Sequence, residues 1–206
     1  MNLKKIIMET VLIEDNRRRE VIRKIVKDLI IVFKDNEEGD FYLPEYFEDR
    51  IMIYDFPGLN ESLTIEFKMS INESIDNFRV DANYYGEEEI IEINLEYNPK
   101  NKRVMAYDLI GELNEIVAHE IRHVDQKNKG MFDLNKKDET DPYKYYLQPH
   151  EMDAQIFGFN RLSKLTRKPF EEIVRNWYKT HKDLHHLTDS QSEKIINKLL
   201  MMKNKQ

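Results

Sequence analysis

The hydrophobic positions along the chain change from a helical spacing to an alternating spacing and back again. Residues 15–34 place apolar side chains three and four positions apart among charged residues, which predicts an amphipathic helix. Residues 63–71 alternate apolar and polar side chains, and the same period of two recurs in residues 78–84 and 91–97. The turn compositions between these segments predict an antiparallel meander with one solvated face, and residues 51–56 are a candidate fourth strand.

The helical period returns after Pro99 and predicts a long helix over residues 104–127. A second helix is expected to begin at Asp141 and Pro142, because Asp is a good cap and Pro suits the first helical position. Pro149 should break or restart it, and further amphipathic segments follow at residues 169–181 and 189–202. The pattern therefore predicts an α+β fold, with an N-terminal helix and antiparallel sheet followed by a helical C-terminal half.

The composition limits the partners and the kinds of site. With 206 residues and no internal repeat, we expect a single domain over residues 1–206. The absence of cysteine excludes disulfides and thiolate ligands, so any metal must be held by His, Asp or Glu. The net charge is -7 and the cations are interspersed with acids, so nucleic acid is not expected as a partner. We interpret the run Arg17 to Arg19 as a solvated helix end rather than a phosphate patch.

No segment has the pattern of a membrane anchor or an export signal. The N-terminal apolar run is interrupted by Glu9 and Glu14 and no small-residue cleavage site follows it. No stretch approaches the eighteen or so apolar residues of a spanning helix. We therefore expect a cytoplasmic protein without a membrane partner, and its richness in Lys, Ile and Asn is typical of an AT-rich genome such as that of a phage.

Three residues of the long helix, His119, Glu120 and His123, have the H-E-x-x-H spacing of a zinc motif. Residues four apart on a helix are neighbours, so both imidazoles can reach one ion at roughly 2.0–2.1 Å from each nitrogen. Glu120 is turned about a third of the way round the helix, which keeps it out of the ligand set but near enough to accept a proton from water. The motif can arise by chance, but here its helix is strongly amphipathic, follows a sheet and precedes a second acidic helix.

Two segments resemble one family of metalloenzymes. The motif HEIRH at 119–123 and the segment PHEMDAQIFGF at 149–159 are similar to the gluzincin group of zincin metallopeptidases, including compact ImmA/IrrE-type proteases and small phage-encoded metallopeptidases. Members add a glutamate from a later helix, in a Glu-x-x-Ala pattern, as the third zinc ligand. The resemblance covers about residues 89–160 and implies a small zincin-like domain in which Ala154 lets the two helices pack closely.

The resemblance also implies a catalytic zinc site. Zinc would be held by His119, His123 and Glu151, with a fourth position for water, and Glu120 would be the general base in hydrolysis of a peptide or protein substrate. The strand over residues 88–97 would pair with an extended substrate along one edge. The alternative is a zincin-fold protein that binds zinc without catalysis, as a partner-binding or regulatory module, but a non-enzyme has no need of Glu120.

Other polar residues near the two segments have ordinary interpretations. Asp153 offers a second carboxylate, but two residues turn it about 200° from Glu151, which is the preferred ligand. Gln155 either hydrogen-bonds a ligand histidine or is a plain surface residue. Glu112 and Glu115 precede the first histidine on nearly the same face; we interpret both as solvated, with orientation of a ligand as the alternative.

The remaining histidines and tyrosines are also expected to lie apart from the chemistry. His181 and His185 are four apart but belong to a polar connection, so we expect both to be exposed, and we expect His150 to point away from the site. Three tyrosines precede the glutamate helix, and core packing is their simpler interpretation, although gluzincins often use a Tyr or His to stabilise the oxyanion: Tyr143, Tyr145 and Tyr146.

Overall fold

The computed structural model describes residues 3–31, 33–35, 40–42, 48–56, 62–100, 103–132 and 140–205. The helices within these stretches are α1 (Leu3–Ile30), α2 (Ala106–Asn128), α3 (Pro142–Tyr146), α4 (Pro149–Thr166), α5 (Phe170–His181) and α6 (Asp189–Lys203). The strands are β1 (Lys34–Asp35), β2 (Asp40–Tyr42), β3 (Arg50–Tyr54), β4 (Leu63–Ile71), β5 (Phe78–Tyr85), β6 (Ile90–Tyr97) and β7 (Arg103–Met105). The α+β prediction is confirmed.

The helix boundaries follow the local signals in the sequence. Helix α3 begins after Asp141, whose side chain accepts a hydrogen bond from the Tyr143 backbone N–H, and Pro142 occupies its first turn. Helix α4 restarts at Pro149. Helix α1 extends further toward the N-terminus than the predicted 15–34, reaching back to Leu3.

The larger sheet is mixed, and this corrects the predicted meander. Its order is β3-β4-β6-β5, and β4 runs parallel to β6 with Thr64 opposite Ile90 and Ile71 opposite Tyr97. The other neighbours, β3 with β4 and β5 with β6, are antiparallel. Strand β6 is interior and every second side chain on it is buried, whereas on the edge strand β5 Ala82 alone is buried.

Two apolar clusters frame the functional region. The first joins the inner face of the larger sheet to α1 and α2, and the second joins α4, α5 and α6. Helices α2 and α4 pack against each other and so connect the two clusters. The outer sheet face carries ion pairs such as Lys68 with Glu92, as expected of a solvated face. None of the described helices combines the length and apolarity needed to cross a membrane.

Candidate metal centre

Helix α2 brings the two motif histidines onto one face, where their ring nitrogens converge. The Nε2 atoms of His119 and His123 are 3.1 Å apart, and the rings meet edge-on with centroids 4.8 Å apart. The direction in which this face of α2 points is set by the apolar stripe of the helix, since Leu113, Val117 and Ile121 are fully buried in the cluster that joins the larger sheet to α1 and α2.

Glu151, in the first turn of α4, completes the cluster. Its Oε1 lies 3.3 Å from His123 Nε2 and its Oε2 lies 3.4 Å from His119 Nε2. The side chain is buried, and among the described residues Oε2 receives no hydrogen bond of acceptable geometry. A buried carboxylate oxygen without a donor needs another partner, which a cation would supply.

The three side chains fit a zinc ion. Tetrahedral donors at roughly 2.0–2.1 Å from one zinc lie about 3.3 Å from each other. The two histidine Nε2 atoms are 3.1 Å apart, and the Glu151 carboxylate approaches them with separate oxygens, Oε1 at 3.3 Å from His123 and Oε2 at 3.4 Å from His119. Two imidazoles and a carboxylate are also a donor set that zinc accepts in open, catalytic sites. The predicted residues therefore form a candidate metal-binding triad.

The electrostatics of this triad favour a bound cation. Burial opposes the charged form of Glu151, but the close imidazoles of His119 and His123 hold the pKa of its carboxyl well below the ordinary value. Burial likewise opposes protonation of His119, yet the neighbouring carboxylates of Glu151 and Glu120 raise its pKa to about 9. The carboxylates thus outweigh the cost of burying a positive charge between them.

Glu120 lies beside the triad without belonging to it. Its Oε1 is 4.0 Å from His119 Nε2, and its side chain is buried at the edge of a cavity. Burial raises the pKa of its carboxyl, while the neighbouring histidines oppose the shift. Glu120 therefore lies next to the triad, and its role as a general base stays a prediction.

Gln126 fixes the orientation of His123, and sequence reasoning missed it. The amide nitrogen Nε2 of Gln126 donates to the His150 carbonyl and to Asp153 Oδ2, both at 2.9 Å. Its Oε1 is therefore left as an acceptor, 2.9 Å from His123 Nδ1. His123 consequently carries its proton on Nδ1 and presents the Nε2 lone pair to the cluster. The signal in the sequence is the position of Gln126 three residues after His123, on the same helix face.

Asp153 belongs to an ion-pair network behind the ligands. Its Oδ2 accepts a hydrogen bond from Arg122 Nε at 2.6 Å, so it does not compete with Glu151. Arg122 also binds Asp125 at 3.1 Å, and Asp125 binds Arg18 of α1 at 2.7 Å. Arg18 is only 12% exposed, so interpreting the whole arginine run as a solvated helix end was wrong.

A cavity of about 280 Å³ opens beside the triad. It is lined by His119, Glu120 and Glu151, by residues 79–83 of β5, and by residues of α5. Strand β5 lies at the edge of the larger sheet and pairs, within the described chain, with β6 alone. Strand β6 has neighbours on both sides, so the expectation that residues 88–97 offer a free edge to a substrate is wrong, and β5 occupies that position instead.

The far wall of the cavity is formed by rings that sequence reasoning had placed in solvent. His181 and His185 are partly buried and stack on Trp177, with centroid distances of 4.5 and 5.3 Å and nearly parallel planes. The polar segment around them folds back over α5, which its local composition did not reveal. The expectation that His150 points away from the site was also wrong, because its Nε2 lies 3.5 Å from Glu151 Oε1.

Two acidic residues on α2 face the same cavity. Glu112 is partly exposed and lies 3.9 Å from His181. Glu115 is buried, contrary to the expectation that it is solvated. Burial raises the pKa of Glu115 to about 8. The carboxyl of Glu115 lies against Gly158, where an added Cβ would be 2.8 Å from Glu115 Oε1 and 3.0 Å from its carbonyl oxygen. Gly158, like the buried Ala154 one turn earlier, lets α4 approach α2 closely.

Gln155 and the tyrosines separate into structural and site residues. Gln155 is buried and contacts the Tyr178 hydroxyl and the Tyr146 carbonyl, so neither expectation for it was correct. Tyr146 lines the cavity and packs on His185, and Tyr143 packs in the cluster of α4 to α6. Tyr145 lines the cavity and is 38% exposed. Burial, the charge of Glu151 and a hydrogen bond to Glu151 raise the pKa of its phenol, which therefore stays protonated at neutral pH.

Comparison with known proteins adds no relative. No family model matches the chain, and no match is found among curated proteins or solved structures.

Proposed function

We propose that this chain is a zinc-dependent metallopeptidase that hydrolyses peptide bonds, with His119, His123 and Glu151 as metal ligands. The observation that carries the proposal is the convergence of two imidazole nitrogens and one orphaned carboxylate oxygen beside a cavity, with a second buried carboxyl 4.0 Å away. A purely structural zinc would have all its positions filled by protein, whereas three ligands beside a cavity leave room for chemistry.

A zinc ion in the triad would supply Lewis acidity, polarising the carbonyl of a bound peptide and making a water molecule more acidic. Glu120 is placed to accept the proton of the attacking water and to deliver it to the leaving amine. Its burial keeps bulk water from competing for that proton. Tyr145, with its protonated phenol at the cavity, is the donor among the three tyrosines suited to hydrogen-bond the developing oxyanion.

The edge of β5 supports a peptide as the substrate. An extended chain can add to an exposed sheet edge through main-chain hydrogen bonds, and residues 79–83 of β5 line the cavity next to Glu120. A substrate bound along this edge would place a peptide bond near the triad while its side chains reach the wall of Trp177, His181 and His185.

The test combines metal content with hydrolysis of a mixed pool of quenched fluorescent peptides. We expect about one zinc per chain in the wild type, and we expect Glu120→Gln to keep the zinc but lose about 10²- to 10⁴-fold in activity. Tyr145→Phe should lower kcat without changing zinc content. Glu193→Gln, on the exposed surface of α6, is the matched control and should behave as wild type.

Each outcome separates the alternatives. Zinc without hydrolysis of any peptide would indicate a metal-binding module without catalysis. Absence of zinc even after its addition would refute both, and equal activity in Glu120→Gln would refute the assigned base.

A further inference from the structure

A second cavity, about 580 Å³ in volume, lies between α1 and the C-terminal half of α4. It shares no lining residue with the cavity beside the triad. No described acidic residue lines it, while five of its lining residues are cations, and we call it the basic cleft: Arg19, Arg23, Arg161, Lys164 and Arg167. Such a concentration of positive charge contrasts with the net charge of -7 of the whole chain.

The cations of the basic cleft come from two helices that face each other. Arg19 and Arg23 are four apart on α1, and Arg161 and Lys164 are three apart on α4, so each pair occupies one helix face. Like charges at these spacings repel each other. Their positive potentials add across the cleft, which favours the approach of an anion.

Arg161 forms the inner part of the cleft. It is only partly exposed, and its Nε donates to Asn114 Oδ1 at 3.0 Å. Asn114 is buried and held in turn by a hydrogen bond to the Ile110 carbonyl, so the guanidinium is fixed in direction. Burial, with the charges of Arg23 and Arg19, lowers the pKa of Arg161 to about 10, which leaves it charged at neutral pH.

We propose that the basic cleft is a binding site for a ligand that carries several phosphate groups. The planar guanidinium forks of Arg161 and Arg23 match phosphate oxygens in pairs. The cleft is concave and of a size suited to a small molecule or a short strand rather than a flat protein surface. Phe157 and Leu165 add apolar surface beside the cations, which a nucleoside or other organic part could cover. The site is independent of the metal triad.

The first probe is inorganic tripolyphosphate, titrated calorimetrically into the full chain. We expect one saturable site whose affinity falls at least about tenfold in Arg161→Gln. Arg23→Gln, exposed on α1 and changeable without repacking, should weaken binding by about threefold or more and keeps the test valid if Arg161→Gln unfolds. Arg175→Gln is the matched control and should bind as wild type, because Arg175 is an exposed arginine of α5 that does not line the cleft and pairs with Glu171 of the same helix and Glu193 of α6. Chelation of metal by the probe would be the same in every variant.

The second probe, a short single-stranded oligonucleotide, distinguishes the source of the phosphates. If the cleft takes a nucleic-acid backbone, the oligonucleotide will bind with the same dependence on Arg161 and with an affinity that falls steeply with salt. Binding of tripolyphosphate alone would instead identify a small polyanion as the ligand. Absence of saturable binding by both probes, or wild-type affinity in both Arg161→Gln and Arg23→Gln, would overturn the proposal.

Discussion

Two pairs of histidines have the same four-residue spacing, and His119, His181 and His185 line one cavity. The rings of His119 and His123 meet edge-on, and their Nε2 atoms, 3.1 Å apart, point toward Glu151. The rings of His181 and His185 are nearly parallel, with centroids 6.4 Å apart. The first pair lies wholly on α2, whereas His181 ends α5 and His185 lies in the turn beyond it. A spacing of four residues therefore permits a metal site but does not create one.

The difference lies in what contacts each pair from other elements. Gln126 sets the tautomer of His123, and α4 supplies a buried carboxylate opposite it. The second pair has Trp177 as its platform, and the described carboxylate within ion-pair distance, Glu112, is partly exposed and 3.9 Å from His181. A ligand set thus needs an orienting partner and an opposing charge in addition to spacing.

The difference between the two pairs is tested most directly by substituting one histidine in each pair. His123→Gln removes a ligand and is expected to weaken zinc binding by more than about 100-fold, whereas His185→Gln should leave the affinity unchanged. Competition with a chromogenic chelator measures both. Equal zinc affinity in the two variants would show that the pairs are not distinguished as described.

A smaller effect is expected from removing the orienting partner alone. Gln126→Leu keeps the volume but deletes the acceptor for His123 Nδ1, so zinc affinity should fall about 10- to 100-fold. Trp177→Phe, which changes the platform of the other pair, is the control for zinc binding. An unchanged affinity in Gln126→Leu would mean that His123 is oriented by packing.

The approach of α4 to α2 can be tested with two glycines. Gly158→Ala places a Cβ 2.8 Å from Glu115 Oε1 and 3.0 Å from its backbone oxygen, so it should destabilise the fold by about 1–3 kcal/mol. Gly111→Ala on α2 meets only Leu162 at 3.5 Å and should stabilise by about 0.5–1 kcal/mol through helix propensity. Urea unfolding reports both, and a Gly158→Ala variant as stable as Gly111→Ala would contradict the close approach.

The burial of His185 should be detectable in the pH dependence of the free energy of unfolding. Burial, then the charges of His181, Arg79 and His186, lowers the pKa of His185 to about 4. Because the unfolded imidazole binds its proton near pH 6.5, the unfolded state gains protons first as the pH falls, and stability is lost between about pH 6.5 and 4. His185→Gln should reduce that loss by about 1–2 kcal/mol. His186→Gln, an exposed neighbour, should change it less, and identical urea-unfolding profiles for wild type and His185→Gln would contradict the burial.

The sequence predicted the first pair well because its determinants are local. The apolar stripe of α2 and the four-residue spacing are legible within a few residues and put His119 and His123 on one helix face. Glu151 was expected from the resemblance to gluzincins, and the structure brings all three residues together. The sequence could not show that residues 181–185 fold back over the cavity, because that depends on packing of α5 against α4. The burial of Glu115 similarly depends on Gly158, more than forty residues away along the chain.

The order of the strands could not be predicted either, because it also depends on contacts between distant segments. Alternation identifies strands and their inner faces, but it does not say which strand lies between two others, since residues 78–84 and 91–97 alternate alike although β5 lies at the edge and β6 inside the sheet. The free edge beside the cavity was therefore assigned to β6 rather than β5. The chemistry of the motif does not depend on this assignment, but the position of a bound peptide does.

The parallel pairing of β4 with β6 also constrains the order of folding. Strands β5 and β6 are joined by a short turn and can form a hairpin early, while Thr64 must find Ile90 across the whole of β5. Closing that larger loop costs more conformational entropy and is therefore slower. The folding nucleus should then contain β5, β6 and α2. Substitutions in β6 would then slow folding, whereas those in β3, which joins the sheet only through β4, would mainly accelerate unfolding.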